Sequence, residues 1–512
     1  MADAAEVAHD DDVKRLHGMG YAQELSRNMG HFSNFAISFS IICILSGGIN
    51  SLPQGTSGAG GAAIGIGWLV GGAAALVFSL GMAQIASAFP TAGGLYHWSS
   101  ILAGRAWGWA TAWFNLLGLI FVTASVEFGV YILFRDLILN GVFGIDVSGF
   151  GFWHSTIAIA IILVTHSIFN HFGIRLTTRL TDFSGYWIFI VAIVLTVALF
   201  AYAPTHDFSR LFTFTNFTGV KGGLWPQTNS MLVAFLLGLL LVCYTITGFD
   251  ASAHTSEETR SAAVSVPRGM WQSVFWSFLF GYAMVSTFVL AMPSVADGAA
   301  QGGNVFLWIM NSSGMPTVLR SLLFIGIVIS NYLCGLACLT STSRMMYAFA
   351  RDDGLPVSKV LGHVSPTYRT PIYAIWVSTG LALLATLYAD AFFVLAAGSA
   401  VLLYISYVMP IAAGLLAEGK AWKEKGPFNL GAFSKPIAVL AILGGLVLAW
   451  TGFQPPNDKV LYVTVGLVVV LVVLWFGLER RRFAGPPTGA QIAERQAGIA
   501  QIEADLEKGA AD

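Results

Sequence analysis

Cys43-Ile44-Leu45-Ser46-Gly47-Gly48-Ile49-Asn50 and Cys243-Tyr244-Thr245-Ile246-Thr247-Gly248-Phe249-Asp250 each fall within an apolar window and read as two copies of one interruption. Cys aligns with Cys, Gly48 with Gly248 and Asn50 with Asp250. The first copy runs on into Ser51-Leu52-Pro53, and paired glycines followed by Asn and Pro favour unwinding of a membrane helix. Lipid tolerates such unwinding only where the freed backbone groups line a cavity or a ligand. A kink or a small-residue packing face would use the same glycines. The second copy shifts that balance, because it lies five helices later and must therefore cross in the opposite direction. Interrupted segments at matching positions of two inverted halves mark the substrate site of a secondary transporter. Half-helix N-termini then face an anionic group and unwound carbonyls a cationic one. A zwitterion fits, as does a small cation held by carbonyls and one carboxylate.

The rest of the chain supports a lipid setting. Of its 512 residues 56% are hydrophobic and only 10% charged, with a net charge of −1 and a mean hydropathy of +0.71. That composition excludes an ordinary soluble domain, and the neutral balance gives no field directed at nucleic acid. Windows of about 20 apolar residues, enough to span a bilayer, recur twelve times: 33–60, 63–88, 107–134, 153–170, 183–202, 231–256, 269–292, 317–350, 371–389, 391–416, 435–453 and 459–478. With the N-terminus in the cytoplasm, Lys and Arg divide about 21 inside to 5 outside, so both termini are expected in the cytoplasm; the expected location is the plasma (inner) membrane, crossed several times. The first thirty residues are polar, and no cleavable signal is expected.

The expected organisation is a cytoplasmic segment over 1–32, a first repeat over 33–202 and an external loop over 203–230. A second repeat over 231–416, two further helices over 417–478 and a cytoplasmic tail over 479–512 complete it. The tail places Ile492, Ile499, Ile502 and Leu506 on one stripe and is expected to be a solvated peripheral helix.

Few ionisable residues fall within the spans, where each is costly unless it has a task or a partner. Asp250 follows the second interruption and bears on cargo or gate, while Glu127, with no cation on its own helix, is expected to attract an ammonium group or carry a proton. His154 and His166 read as packing residues, for no acidic partner is close in sequence. Cys43, Cys243, Cys334 and Cys338 read as buried thiols, with no ligand set for a metal. Gly61, Gly65, Gly67, Gly71 and Gly72 suit close helix packing and lack the strand context and Lys-Ser/Thr ending of a phosphate loop. Neither an ATP-driven pump nor an enzyme with a Ser/His/Asp or metal centre is indicated, and no cofactor is implied.

Further motifs carry a family resemblance: Glu24-Leu25-Ser26-Arg27, Phe35-Ala36-Ile37-Ser38-Phe39-Ser40, Phe89-Pro90-Thr91-Ala92-Gly93-Gly94-Leu95-Tyr96-His97-Trp98, Ser256-Glu257-Glu258-Thr259, Val266-Pro267-Arg268 and Ser343 to Asp352. Together with Gly248-Phe249-Asp250 they make residues 20–480 similar to the amino acid-polyamine-organocation superfamily, in its amino acid/choline permease branch. The resemblance implies an all-α membrane protein of twelve helices, a five-plus-five inverted repeat of the leucine-transporter type plus two C-terminal helices, working by alternating access. Ser46, Gly47, Gly48 and Ile49 would then receive a cargo carboxylate, with Asn50 beside them. Tyr244, Thr245, Ile246 and Thr247 would receive its amino group, Phe249 would act as a lid, and Gly118, Leu119 and Thr123 would line the side-chain space. Arg27, Glu257, Arg344 and Asp352 sit where cytoplasmic gate pairs form in such proteins.

The expected cargo is a small amine-bearing solute, an amino acid such as gamma-aminobutyrate, with a polyamine or choline as the cationic alternative and a non-transporting sensor as another. The coupling ion stays open between proton, sodium and none, because residues 183–202 hold no Lys and Ala337 and Cys338 replace helix-eight hydroxyls.

Overall fold

The computed structural model describes residues 2–388, 392–487 and 490–509. Residues 389 and 391, where the expected ninth and tenth spans meet, lie outside these. An N-terminal helix α1 (Ala2–Gly18) precedes the interrupted α2 (His31–Ile42), α3 (Ile44–Asn50) and α4 (Leu52–Thr56). Then come α5 (Gly61–Ala88), the short α6 (Leu95–Ala103), α7 (Arg105–Leu133), α8 (Phe152–His171) and α9 (Ile174–Ala201). A second interrupted series comprises α10 (Met231–Gly238), α11 (Leu240–Thr245) and α12 (Ala251–His254), followed by α13 (Ala262–Ala291) and the loop helices α14 (Val295–Ala299) and α15 (Val305–Ser312). The chain continues through α16 (Thr317–Arg351), α17 (Ser358–Leu361), α18 (Ile372–Tyr388), α19 (Phe392–Ala417), α20 (Ser434–Gly452), α21 (Asp458–Leu474), α22 (Arg480–Arg482) and α23 (Ala490–Gly509).

Among the described residues, 10 helices are long and apolar enough to cross a membrane. The windows expected at 231–256 and 371–389 correspond to the shorter apolar helices Met231–Thr245 and Ile372–Leu387. Helix α5 packs along α13, α7 along α19 and α16, and α2 against α13 and α9, so that the interrupted helices sit inside the bundle. The glycines of α5 permit these approaches: a Cβ on Gly71 would stand 2.1 Å from Val242 of α11, and one on Gly72 2.2 Å from Phe278 of α13.

One end of the bundle, the terminal face, is where α1 and α23 meet. The tail is a docked helix rather than a solvated one. Ile499 and Leu506 are buried, the His17 ring contacts Glu503 at 2.8 Å, and Arg495 donates to Asp352 at 3.0 Å. Ile502 stays exposed, so two of the four stripe residues are covered where α23 meets the rest of the chain.

Candidate functional site at the two helix breaks

Both expected interruptions are present, and the first lies one turn earlier than the glycines suggested. It centres on Cys43, whose φ of 27° is a left-handed conformation uncommon for a side-chain-bearing residue. Gly47 and Gly48 lie inside α3, where the Gly47 N–H is already bonded to the Cys43 carbonyl at 2.9 Å. The amides at the start of α3, those of Ile44, Leu45 and Ser46, are the ones a helix N-terminus leaves without intrahelical acceptors. Thiols close the other side of this break. Cys334 donates to the Ile41 carbonyl at 3.2 Å, and Cys43 to that of Ser330 at 3.7 Å.

The glycines serve packing instead. A Cβ on Gly47 would stand 2.8 Å from Thr245 Cα and equally close to both branches of its side chain. This contact lets α3 lie directly against α11. The second break, between α11 and α12, is where it was expected. Gly248 has φ of 83°, and a Cβ there would also strike Ile41 at 2.2 Å, so both backbone angle and space select glycine. Carbonyls freed by this break are taken up locally: Tyr404 donates to Ile246 O at 2.7 Å and Ser38 to Phe249 O at 2.9 Å.

Around this crossing the structure gathers most of the residues named from sequence. Ser46 donates to Asn331 of α16, Tyr244 and Ser125 share a hydrogen bond of 3.0 Å, and Thr123 meets Thr342 at 2.9 Å. Ile49, Thr245 and Thr247 are buried here and Asn50 is half-buried. Asn50 and Ile49 line a cavity of about 130 Å³ that also includes Arg135 and Phe392. Gly118 packs on Leu403 of α19, and Leu119 supplies its carbonyl to Thr123 and Thr342. Phe249 is fully buried against the Tyr407 ring, 4.8 Å between centroids.

Two carboxylates have partners that sequence spacing did not reveal. Asp250 accepts from Tyr407 at 2.9 Å, from Asn115 at 2.9 Å and from the His254 ring at 3.2 Å. It is therefore committed to holding the second break. Glu127 is not alone either: its Oε1 lies 2.7 Å from Nδ1 of His166, and both side chains are completely buried. The pair, whose members stand on α7 and α8, gives His166 the acidic partner that its own stretch of sequence does not supply.

The four expected gate residues all lie buried at the terminal face, with partners of their own. Arg344 pairs with Glu258 at 3.1 Å, Glu257 with Arg351 at 2.9 Å, and Asp352 accepts from Tyr21 at 2.7 Å, Tyr96 at 3.1 Å and Arg495 at 3.0 Å. Arg27 donates to the carbonyls of Ser256 and Thr259 and to Gln23, with Asp12 3.9 Å away. Sequence reading did not assign Glu258, Arg351 or Tyr21 to this cluster, although Glu258 and Arg351 lie within motifs it quoted and Tyr21 lies three residues before one. The Phe89–Gly94 loop docks on the same cluster, its Ala92 N–H donating to Glu257 at 2.9 Å.

Burial pushes the Glu257 carboxyl upward, but the Arg351 guanidinium and the Ala92 amide outweigh it and hold it below its usual range. Burial pushes Glu24 and Glu258 up and His97 down to about 4. A depressed carboxyl contributes stability above the ordinary Glu pKa of about 4.3 and loses it as pH falls through the lower folded value. The raised carboxyls act oppositely, taking up protons in the fold. The difference between wild type and Glu257→Gln therefore isolates the pair. The wild-type advantage in detergent thermal unfolding is expected to be flat from neutral pH to about 5 and to shrink below about 4; an advantage independent of pH would contradict the assignment.

The long apolar helices and the two interruptions packed against each other fit a multi-pass membrane transporter. An amino acid permease family model matches residues 29–477, and the chain belongs to that family. It is 32% identical to the amino-acid permease BAT1 of Arabidopsis thaliana, over 93% of this chain and 96% of that protein. It is 33% identical to the BAT1 homolog of Oryza sativa, over 94% of this chain and 96% of that protein. An uncharacterized amino-acid permease of Schizosaccharomyces pombe is 28% identical over 93% and 87%.

Proposed function

We propose that the protein carries a small zwitterionic amino acid, such as gamma-aminobutyrate, across the plasma membrane by alternating access, with both termini in the cytoplasm. The observation that carries this reading is the seating of α3 directly on α11, Gly47 against Thr245, between two helix breaks. The cargo carboxylate goes to the amides at the start of α3, reached through Ser46, with Gly47, Gly48 and Ile49 forming the turn behind them. Its amino group goes to the carbonyls of Tyr244, Thr245 and Thr247 and to the lone pair that Tyr404 leaves on Ile246 O, while Thr123 and Leu119 bound the side chain and Phe249 covers it. The breaks belong to the first and sixth of twelve spans in a five-plus-five inverted repeat, and the cluster of Arg27, Glu257, Arg344 and Asp352 is the inner gate.

The commitment of Glu127 to His166 and of Asp250 to Tyr407, Asn115 and His254 favours a zwitterion over a polyamine or choline, since a cation needs an unspent carboxylate. Proteoliposome counterflow tests this. Labelled gamma-aminobutyrate is expected to enter faster when vesicles are preloaded with amino acids, and preloaded choline or spermidine should do nothing. Saturable counterflow with choline or spermidine alone would sink the assignment, and specific binding without counterflow would make the protein a sensor.

A further inference from the structure

We propose that Glu127 and His166 form a proton site that couples amino acid movement to a proton gradient, an inference that rests on the transport reading above. The two side chains have no exposed surface, and they share one hydrogen bond of 2.7 Å between Oε1 and Nδ1. Their other polar atoms, Glu127 Oε2 and His166 Nε2, have no hydrogen-bond partner among the described residues. Packing alone gives no reason to bury two titratable groups with half of their bonding capacity unused, since an apolar pair of similar volume would fill the space.

The site is built to hold the pair. Gly335 of α16 faces it with bare backbone: a Cβ there would stand 2.7 Å from Glu127 Oε1 and 2.9 Å from the His166 ring. The Tyr332 ring covers the imidazole at 4.2 Å, and its hydroxyl is occupied by Thr165 at 2.6 Å. Tyr332 is the titratable group that α16 turns towards the pair. Tyr131 follows Glu127 by one turn on α7, and Arg135, two turns on, lies past the end of that helix with its guanidinium held by Asp136 at 2.6 Å. From α3, the polar group near this part of α7 is the uncharged Asn50, against Gly129. A sodium ion is poorly served here, for hard cations require several oxygen ligands and the pair supplies one carboxylate and an imidazole.

With one proton between them the two groups are net neutral, whether as carboxylate and imidazolium or as carboxylic acid and imidazole. Loss of that proton leaves a net negative charge in an apolar interior, so exchange with water requires the surroundings to open. The fold links such opening to the cargo site through α16. Asn331 receives the hydroxyl of Ser46 on α3, and one turn later Gly335 touches the pair. Thr123, one turn before Glu127, is tied to Thr342 on the same helix. A shift of α3 against α16 as cargo is bound or released therefore changes the space around the proton.

The test uses the full chain in proteoliposomes with three readouts: counterflow at equal pH, accumulation under an imposed pH gradient, and substrate-dependent proton entry reported by a lumenal pH dye. For Glu127→Gln and His166→Asn, accumulation and dye signal are expected to fall by at least about tenfold while counterflow persists, the size of a typical coupling between two ligands. Gly335→Ala, which crowds the pair without removing a titratable group, is expected to move the pH midpoint of accumulation, and it serves if the first variants fail to fold. Wild-type accumulation that follows a sodium gradient alone, or Glu127→Gln accumulating like wild type under the pH gradient, overturns the proton site. Absence of counterflow in the wild-type protein overturns the transport reading instead.

Discussion

Gly47→Ala is expected to abolish specific amino acid binding and to lower the thermal stability of the protein sharply, whereas Gly48→Ala, one residue on, is expected to leave both nearly intact. Each position lies inside α3, where alanine is favoured over glycine by up to about 1 kcal/mol, so intrinsic propensity predicts a gain from both changes. Packing separates them. At Gly47 the new carbon would meet Thr245 Cα, Cγ2 and Oγ1, all at 2.8 Å, and a backbone atom cannot give way without moving α11. At Gly48 it would meet Met284 Cε at 3.0 Å, the far end of a flexible side chain. Overpacking of the first kind costs about 1–3 kcal/mol, more than helix propensity returns. Thr245→Ala should rescue Gly47→Ala in part, because it removes two of the three contacts. Ligand-dependent thermal shift of the four proteins checks this, and equal behaviour of Gly47→Ala and Gly48→Ala would remove the α3–α11 contact from the site.

The same contact shows what a sequence can and cannot reveal. The Gly-Gly pair announced an interruption near mid-span, and the match with Gly248 identified its counterpart, because glycine carries a local signal wherever backbone angle or close approach demands it. The register of the first break was not legible. Gly47 and Gly48 are spent on helix packing, and the residue that departs from helix is Cys43, whose side chain gives no such signal. Pairings were less legible still. Glu127 and His166 are 39 positions apart on different helices, so a search for acids near each histidine could not join them. At the terminal face the charged residues were visible, but the choice among Glu257, Glu258, Arg344 and Arg351 is a matter of which way each side chain points after helices α12 and α16 have met. The tail misled for a similar reason: its stripe looks solvated until Ile499 and Leu506 are found buried and Glu503 and Arg495 are found paired with His17 and Asp352.

Arg344→Ala is expected to be the most destabilising single change at the terminal face. Arg344 and Glu258 are both wholly buried. The guanidinium also donates to Asn170 at 3.1 Å and to Ser343 at 3.2 Å, so it ties the segment after the second break to α16 and to α8. Removing it strands a carboxylate out of water, a loss of about 3–5 kcal/mol in comparable buried pairs. The pair need not be stabilising overall, since desolvation of two charges offsets much of their attraction. The physical account therefore predicts more than a loss. Burial already pushes the Glu258 carboxyl up, with Arg344 acting against it, so in the alanine variant Glu258 should take up a proton more readily and neutralise itself. Thermal unfolding of Arg344→Ala in detergent is then expected to recover on acidification, opposite in sign to the change assigned to Glu257. Arg344→Met combined with Glu258→Met should recover stability at neutral pH without acid, because no charge is left unpaired. If the double variant is as unstable as the single one, stranded charge is not the cause, and the hydrogen bonds to Asn170 and Ser343 hold this end of the bundle instead.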